Sequence, residues 1–118
     1  MPDQSDLLML RDKLRAFAEV RDWDQFHSPK NLSMALMVEA AELLEHFQWL
    51  TEAQSAKLPP GDLHAVGEEL ADILLYLVRL SDKLDINLRK AALLKLEKNA
   101  LKYPVEQVRG SAKKYSDY

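Results

Sequence analysis

Two short motifs carry the residues best suited to chemistry. In "VEAAELLEHFQW" Glu39 and Glu42 stand three apart, and in "GEELADILLYLVRL" Glu69 and Asp72 repeat that spacing at an offset of 69 − 39 = 30 residues. Residues three apart on a helix share a face, and each pair lies inside an apolar stretch. If the two helices pack antiparallel through these faces, four carboxylates converge. Left bare, they repel and most must take up protons. A hard divalent cation removes the conflict. Mg²⁺ takes oxygen ligands in octahedral geometry and keeps waters for substrate phosphates, and Mn²⁺ accepts the same donors. A lone E-x-x-E is ordinarily an exposed pair on an amphipathic helix; its recurrence within a second apolar helix points to a metal site. Glu45 and Glu68 fall about 100° off these faces and read as supporting or solvated residues. His46 shares the Glu39/Glu42 face, as a packed histidine rather than a ligand. Neither His46 nor His64 follows a glutamate by three, so the Glu-x-x-His spacing of a di-iron bundle is missing.

Such a cation works on phosphates. The chain has no G-x-x-x-x-G-K-[ST] and no G-x-G-x-x-G, so phosphates must be held by the metal and by basic side chains rather than a glycine-rich loop. Lys95, Asn99 and Lys102 recur at offsets of four and three and share a helical face, and Arg109, Lys113, Lys114 and Tyr115 follow. The same lysines also suit a plain solvated face. In "RDWDQFHSPKN", Trp23, Phe26 and His27 crowd a polar connection. Rings placed there can stack a nucleobase, and Asn31 can hydrogen-bond a base edge. The cluster equally suits a hydrophobic plug over a bundle end.

The elements that must position these residues are helical. With 3 Gly, 5 Pro and no alternating apolar runs, the sequence gives no sign of a strand. Leu7, Leu10, Leu14, Phe17 and Ala18 form the stripe of a first helix, about 5–20. Ser28-Pro29 is an N-cap followed by proline at the first helical position, opening a second helix over about 29–50. "TEAQSAKLPPG" reads as a loop stopped by its prolines and glycine, after which Asp62 can cap a third helix, about 63–84. "DIN" turns the chain into a fourth, 88–102, ended by Tyr103-Pro104. The helical core is therefore about 5–103, and the tail 104–118, with no apolar period, is expected to be loosely ordered. Helices two and three are apolar almost all round, through Met34, Met37, Leu44, Leu74 and Val78. That predicts an all-α bundle of four helices that associates with copies of itself. "EAAELLEHFQWL" and "ELADILLYLVRL" also echo each other, pairing Glu42 with Asp72, His46 with Tyr76 and Leu50 with Leu80.

Composition sets the outer limits. A chain of 118 residues suits one domain, 1–118. With 47% hydrophobic and 30% charged residues it has the balance of a folded chain. A net charge of −3 argues against a partner such as polymeric nucleic acid. The absence of cysteine excludes disulfides, thiolate metal sites and a cysteine nucleophile. "MPDQSDLLML" has neither the form of a secretory signal nor that of a transit signal, and no apolar run approaches a membrane span. The expected setting is the cytoplasm, with no membrane partner.

Together these pieces resemble the all-α nucleoside triphosphate pyrophosphohydrolases of the MazG-like superfamily, whose metal motif is E-x-x-E, a spacer, then E-x-x-D. "EAAE" and "ELAD" occupy those places. "RDWDQFHSPKNL", "EAAELLEHFQW", "EELADILLYLVRL", "KNALKYP" and "SAKKYSDY" are most similar to the branch that acts on dCTP. The resemblance implies Mg²⁺-dependent cleavage between the α and β phosphates of dCTP, or of dCTP analogues with modified bases, to the monophosphate and pyrophosphate. By the same resemblance Glu39, Glu42, Glu69 and Asp72 hold the metal, and Glu39 or Glu42 also activates water. Lys95, Asn99, Lys102 and Tyr103 hold phosphates or sugar, closed over by Arg109, Lys114 and Tyr115. Trp23, His27, Asn31 and Trp49 shape the base pocket with Phe26 behind, and the assembly is a dimer of dimers. "NALKYP" carries less positive charge than the run of arginines this place can hold. Other readings are the same chemistry on dUTP or a damaged purine nucleotide, and a non-enzymatic oligomerisation or adaptor module. The last has no use for carboxylates inside its own apolar core.

Overall fold

The computed structural model describes residues 5–112. Among them are six α-helices: α1 (Asp6–Val20), α2 (Pro29–Glu45), α3 (Glu52–Ser55), α4 (Pro60–Lys83), α5 (Leu88–Lys102) and α6 (Val105–Val108), with a 3₁₀ turn at Asp24–Phe26. No helix among the described residues is long and apolar enough to cross a membrane. The all-α expectation holds, and α1, α2, α4 and α5 are the four long helices read from the apolar spacing. The chain forms two compact units, one ending at Ile86 and one beginning at Asn87.

In the first unit α4 is the central element, packed against both α2 and α1. Its buried hydrophobic residues are Ala18 of α1, Leu32 of α2, and Val66 and Val78 of α4. Capping follows the sequence closely. Ser5 Oγ accepts from the Leu8 amide at 3.3 Å, and Ser28 Oγ accepts from the Asn31 amide at 3.1 Å ahead of Pro29. Each cap satisfies a helix-end donor that would otherwise be orphaned. The ends of α1 and α4 are twins. Asp22 and Asp85 adopt left-handed backbone (φ 53° and 54°). Past them the Trp23 amide donates to Ala18 O, and the Ile86 amide to Ser81 O, each at 2.9 Å. This six-to-one bond closes a Schellman turn, and in α1 it folds Trp23 back toward Phe17.

Four boundaries differ from the expectation. The second helix ends at Glu45 rather than Leu50. Beyond it the bonds tighten to three residues, Phe47 N to Leu44 O and Leu50 N to Phe47 O at 2.9 Å. Winding at three per turn keeps i, i+3 apolar spacing, so the pattern hides the boundary. Thr51 then starts a new helix, its side chain and that of Gln54 forming a capping box at 3.1 and 2.9 Å. The segment expected as a loop thus contains α3. The α4 helix starts at Pro60, not after Asp62, because a proline at the first position has the right φ and no amide to waste. Finally, the tail contains α6, one turn following Pro104.

The second unit is built on α5, capped by Asn87 Oδ1, which accepts from the Lys90 amide at 2.9 Å. Asn99 is half-buried, and its carbonyl accepts the Tyr103 amide at 2.9 Å where the helix ends.

Candidate active site

The centre of the site is made by α2 and α4. Glu39, Glu69 and Asp72 each offer a carboxylate oxygen, and the three oxygens lie within 4.8 Å of one another. Glu42 is not in that triplet, yet its charge bears on Glu39. Burial, then the nearby carboxylates of Glu69, Glu42 and Asp72, push the Glu39 acid up from 4.5 to about 7. Glu39 Oε2 and Glu69 Oε2 are both buried with no hydrogen-bond donor among the described residues. Two such oxygens are costly as bare anions. A hard divalent cation fits them: the donors are all oxygen, and oxygens sharing one small octahedral ion sit about 3–4 Å apart. Glu45 and Glu68 are exposed, and Glu68 pairs instead with His64 at 3.2 Å.

Next to this cluster is an apolar cavity of about 220 Å³, to which Asp72 also contributes. The α4 side of its wall is Asp72, Leu75, Tyr76 and Arg79, positions i, i+3, i+4 and i+7 of one helical face. Leu14, Phe17, Ala18, Leu32, Trp23 and His27 complete it. The aromatic residues stand edge-to-face: Phe17 and Trp23 with centroids 5.7 Å apart at 68°, Trp23 and His27 at 6.4 Å and 66°. The Arg21 guanidinium lies 3.6 Å over Phe17, so the hydrophobic stripe of α1 continues into the cavity wall.

Of the residues singled out for a base, Trp23 and His27 line this cavity, whereas Phe26, Asn31 and Trp49 do not. The Asn31 amide instead donates to the Phe26 carbonyl at 3.0 Å and braces the loop. Trp49 is 86% exposed. Lys95, Asn99, Lys102, Tyr103 and Arg109 all belong to the second unit. There Lys95 borders a shallow groove on α5 with Leu94, Lys98 and Leu101. Lys114 and Tyr115 lie outside the described residues, as does Lys113. Sequence reasoning passed over Phe17, Tyr76 and Arg79. Tyr76 and Arg79 were visible as the continuation, at i+4 and i+7, of the face that carries Asp72.

The sequence profile of the MazG-like family matches residues 34–118. This chain belongs to the MazG-like family. A crystal structure of a pyrophosphatase from Archaeoglobus fulgidus DSM 4304 has the same fold, with a TM-score of 0.75 and 39% identity over 88% of this chain and 97% of that one. Among curated relatives, dCTP pyrophosphatase 1 of Mus musculus is 47% identical over 103 residues, and that of Homo sapiens 42%. The alignment takes in 86% of this chain but 61% of each relative's length. Both halves of the carboxylate cluster, at 39–42 and 69–72, fall inside the MazG-like match.

Proposed function

We propose that this MazG-like chain is a Mg²⁺-dependent pyrophosphohydrolase that cleaves dCTP, and dCTP analogues with modified bases, to the nucleoside monophosphate and pyrophosphate. One observation carries the reading: Asp72 belongs both to the carboxylate triplet and to the wall of the aromatic cavity. A ring held in that cavity has its phosphates next to a cation site. The cavity, at about 220 Å³, is smaller than the roughly 300–1,000 Å³ of pockets that enclose a whole drug-sized ligand. It suits a base rather than a whole nucleotide, and the names of the mouse and human relatives favour cytosine.

Glu39, Glu42, Glu69 and Asp72 would hold Mg²⁺, with Mn²⁺ as a substitute. The bound ion would neutralise phosphate charge and lower the pKa of water. Glu39 or Glu42 accepts the proton of the attacking water on a carboxylate oxygen. Trp23 and His27 grip the ring from the cavity wall, while Phe26, Asn31 and Trp49, outside that wall, would act around it. Lys95, Asn99, Lys102, Tyr103, Arg109, Lys114 and Tyr115 hold the phosphates and sugar. Residues 1–118 act as one domain, a reading supported by a family match that runs across the boundary between the two compact units. The apolar residues Met34, Met37, Leu44 and Leu70, all more than half exposed, favour a homo-oligomer, a dimer of dimers, in the cytoplasm. The test is a panel of nucleoside triphosphates with Mg²⁺ and product identification. Pyrophosphate and dCMP from dCTP are expected. Release of orthophosphate would sink the reaction, and faster turnover of dUTP or a purine would move the specificity.

A further inference from the structure

Arg79 is the one buried charged residue among those described, 5% exposed. A buried guanidinium is costly unless its donors are matched. Here Nη2 donates to Asp24 Oδ1 at 2.6 Å and Nε donates to His27 Nδ1 at 3.1 Å, while Nη1 stands 3.7 Å from Asp82 Oδ2. Two of these contacts reach out of α4 to the connection that carries the cavity's aromatic residues. Lys83 clamps the same Asp24 oxygen. Asp24 and Arg79 therefore tie the 23–27 segment to α4.

The contact with His27 also has a chemical consequence. Arginine does not give up a proton, so the nitrogen facing it must be the acceptor. A neutral imidazole with a bare Nδ1 carries its hydrogen on Nε2. Protonating Nδ1 would set two donors against each other. Burial first, then the charges of Arg79 and Lys83, hold the His27 pKa below its ordinary value, opposed by Asp24. Asp72 and Tyr76 face the ring's cavity from α4. Among the described residues Nε2 has no protein partner.

We propose that Arg79 is a positioning residue that fixes His27 as the Nε2–H tautomer, so that the cavity presents a hydrogen-bond donor to a carbonyl oxygen or bare ring nitrogen of a pyrimidine. Arg79 acts through His27, to which its Nε donates, while its Nη2 is held by Asp24. The inference rests on the nucleotide reading above. It also explains why a buried arginine is kept next to an apolar cavity: it holds one tautomer in place across the working pH range.

Two measurements test it. Nitrogen-detected NMR of histidine in the whole wild-type protein is expected to show His27 as the Nε2–H tautomer from pH 6 to 8. A ring protonated on Nδ1 in that range overturns the proposal, with no variant needed. In Arg79→Met the ring is expected to titrate at a higher pH than in the wild type, though still below its ordinary value, because burial and Lys83 continue to hold it down. The KM for dCTP with Mg²⁺ should rise about fivefold to tenfold, the worth of one neutral hydrogen bond, with kcat within twofold. An Arg79→Met enzyme that keeps its helical signal and its KM overturns the proposal, as does a loss confined to kcat. A wild type that releases pyrophosphate from no triphosphate overturns the functional reading, and this ligand with it. An unchanged KM in an active variant overturns only the role of Arg79.

Discussion

Replacing Glu39 with glutamine removes one charge from the carboxylate cluster and keeps the side chain's shape. In the metal-free protein this is expected to be stabilising, although it disables the site. The Glu39 acid sits at about 7 in the fold against 4.5 ordinarily. At about 1.4 kcal/mol per pH unit, holding Glu39 ionised in the fold costs at most about 3.5 kcal/mol. Asp72 is exposed, so water screens part of the repulsion, and about 1–2 kcal/mol is the realistic gain. The new amide can also donate to the buried Glu69 oxygen that lacks a partner. The pH dependence has a definite sign. The folded state binds the Glu39 proton more tightly than the unfolded one, so the wild type is favoured below about 4.5 and loses that advantage as pH rises through about 7. Thermal melts without metal should therefore differ less at pH 5 than at pH 8. At pH 8 the variant should melt about 4–8 °C higher. Adding Mg²⁺ at pH 8 should raise the wild-type Tm and leave the variant almost unmoved, because binding stabilises only a fold that has the site. A variant that melts below the wild type at pH 8 without metal, or gains equally at pH 5 and pH 8, would refute the account of Glu39 as a strained acid awaiting a cation.

Two further outcomes follow from packing and charge. Leu32, 2% exposed, is the largest fully buried side chain and lines the cavity. Leu32→Ala should cost about 2–4 kcal/mol in urea unfolding; a cost under about 1 kcal/mol would mean the three-helix contact around it is not the core. Arg15 makes a bidentate pair with Asp82 at 2.8 and 2.5 Å, but its side chain is 52% exposed. Arg15→Met should therefore lower stability only slightly at pH 7. The Arg15 contact holds the Asp82 pKa below 3.8, so this stability is present above 3.8 and lost as pH falls below it. The two proteins should converge in melts near pH 2 and in high salt, and an undiminished difference there would contradict the ion-pair origin.

Much of the scaffold was legible because helix physics is local. The N-cap Ser28, the proline at position 29, and the apolar stripes of α1, α2, α4 and α5 are short-range signals, and each is where the sequence places it. Short-range signals also caused the errors. The three-residue winding after Glu45 mimics a continuing helix, and Pro59-Pro60 can either end one element or begin the next. The left-handed Asp22 was less visible still, because aspartate adopts that conformation in only a minority of its places.

For the site the division is similar. The sequence by itself determined the helical class, the two carboxylate pairs and their shared faces, because three-residue spacing on a helix fixes which side chains are neighbours. Only the tertiary structure decided that Glu39, Glu69 and Asp72 meet within 4.8 Å, that two of their oxygens are buried without donors, and that Asp72 also borders an aromatic cavity. It alone joined Arg79 to His27, residues 52 positions apart. Contacts between helices depend on which faces pack and at what depth. No periodicity within a single helix encodes that.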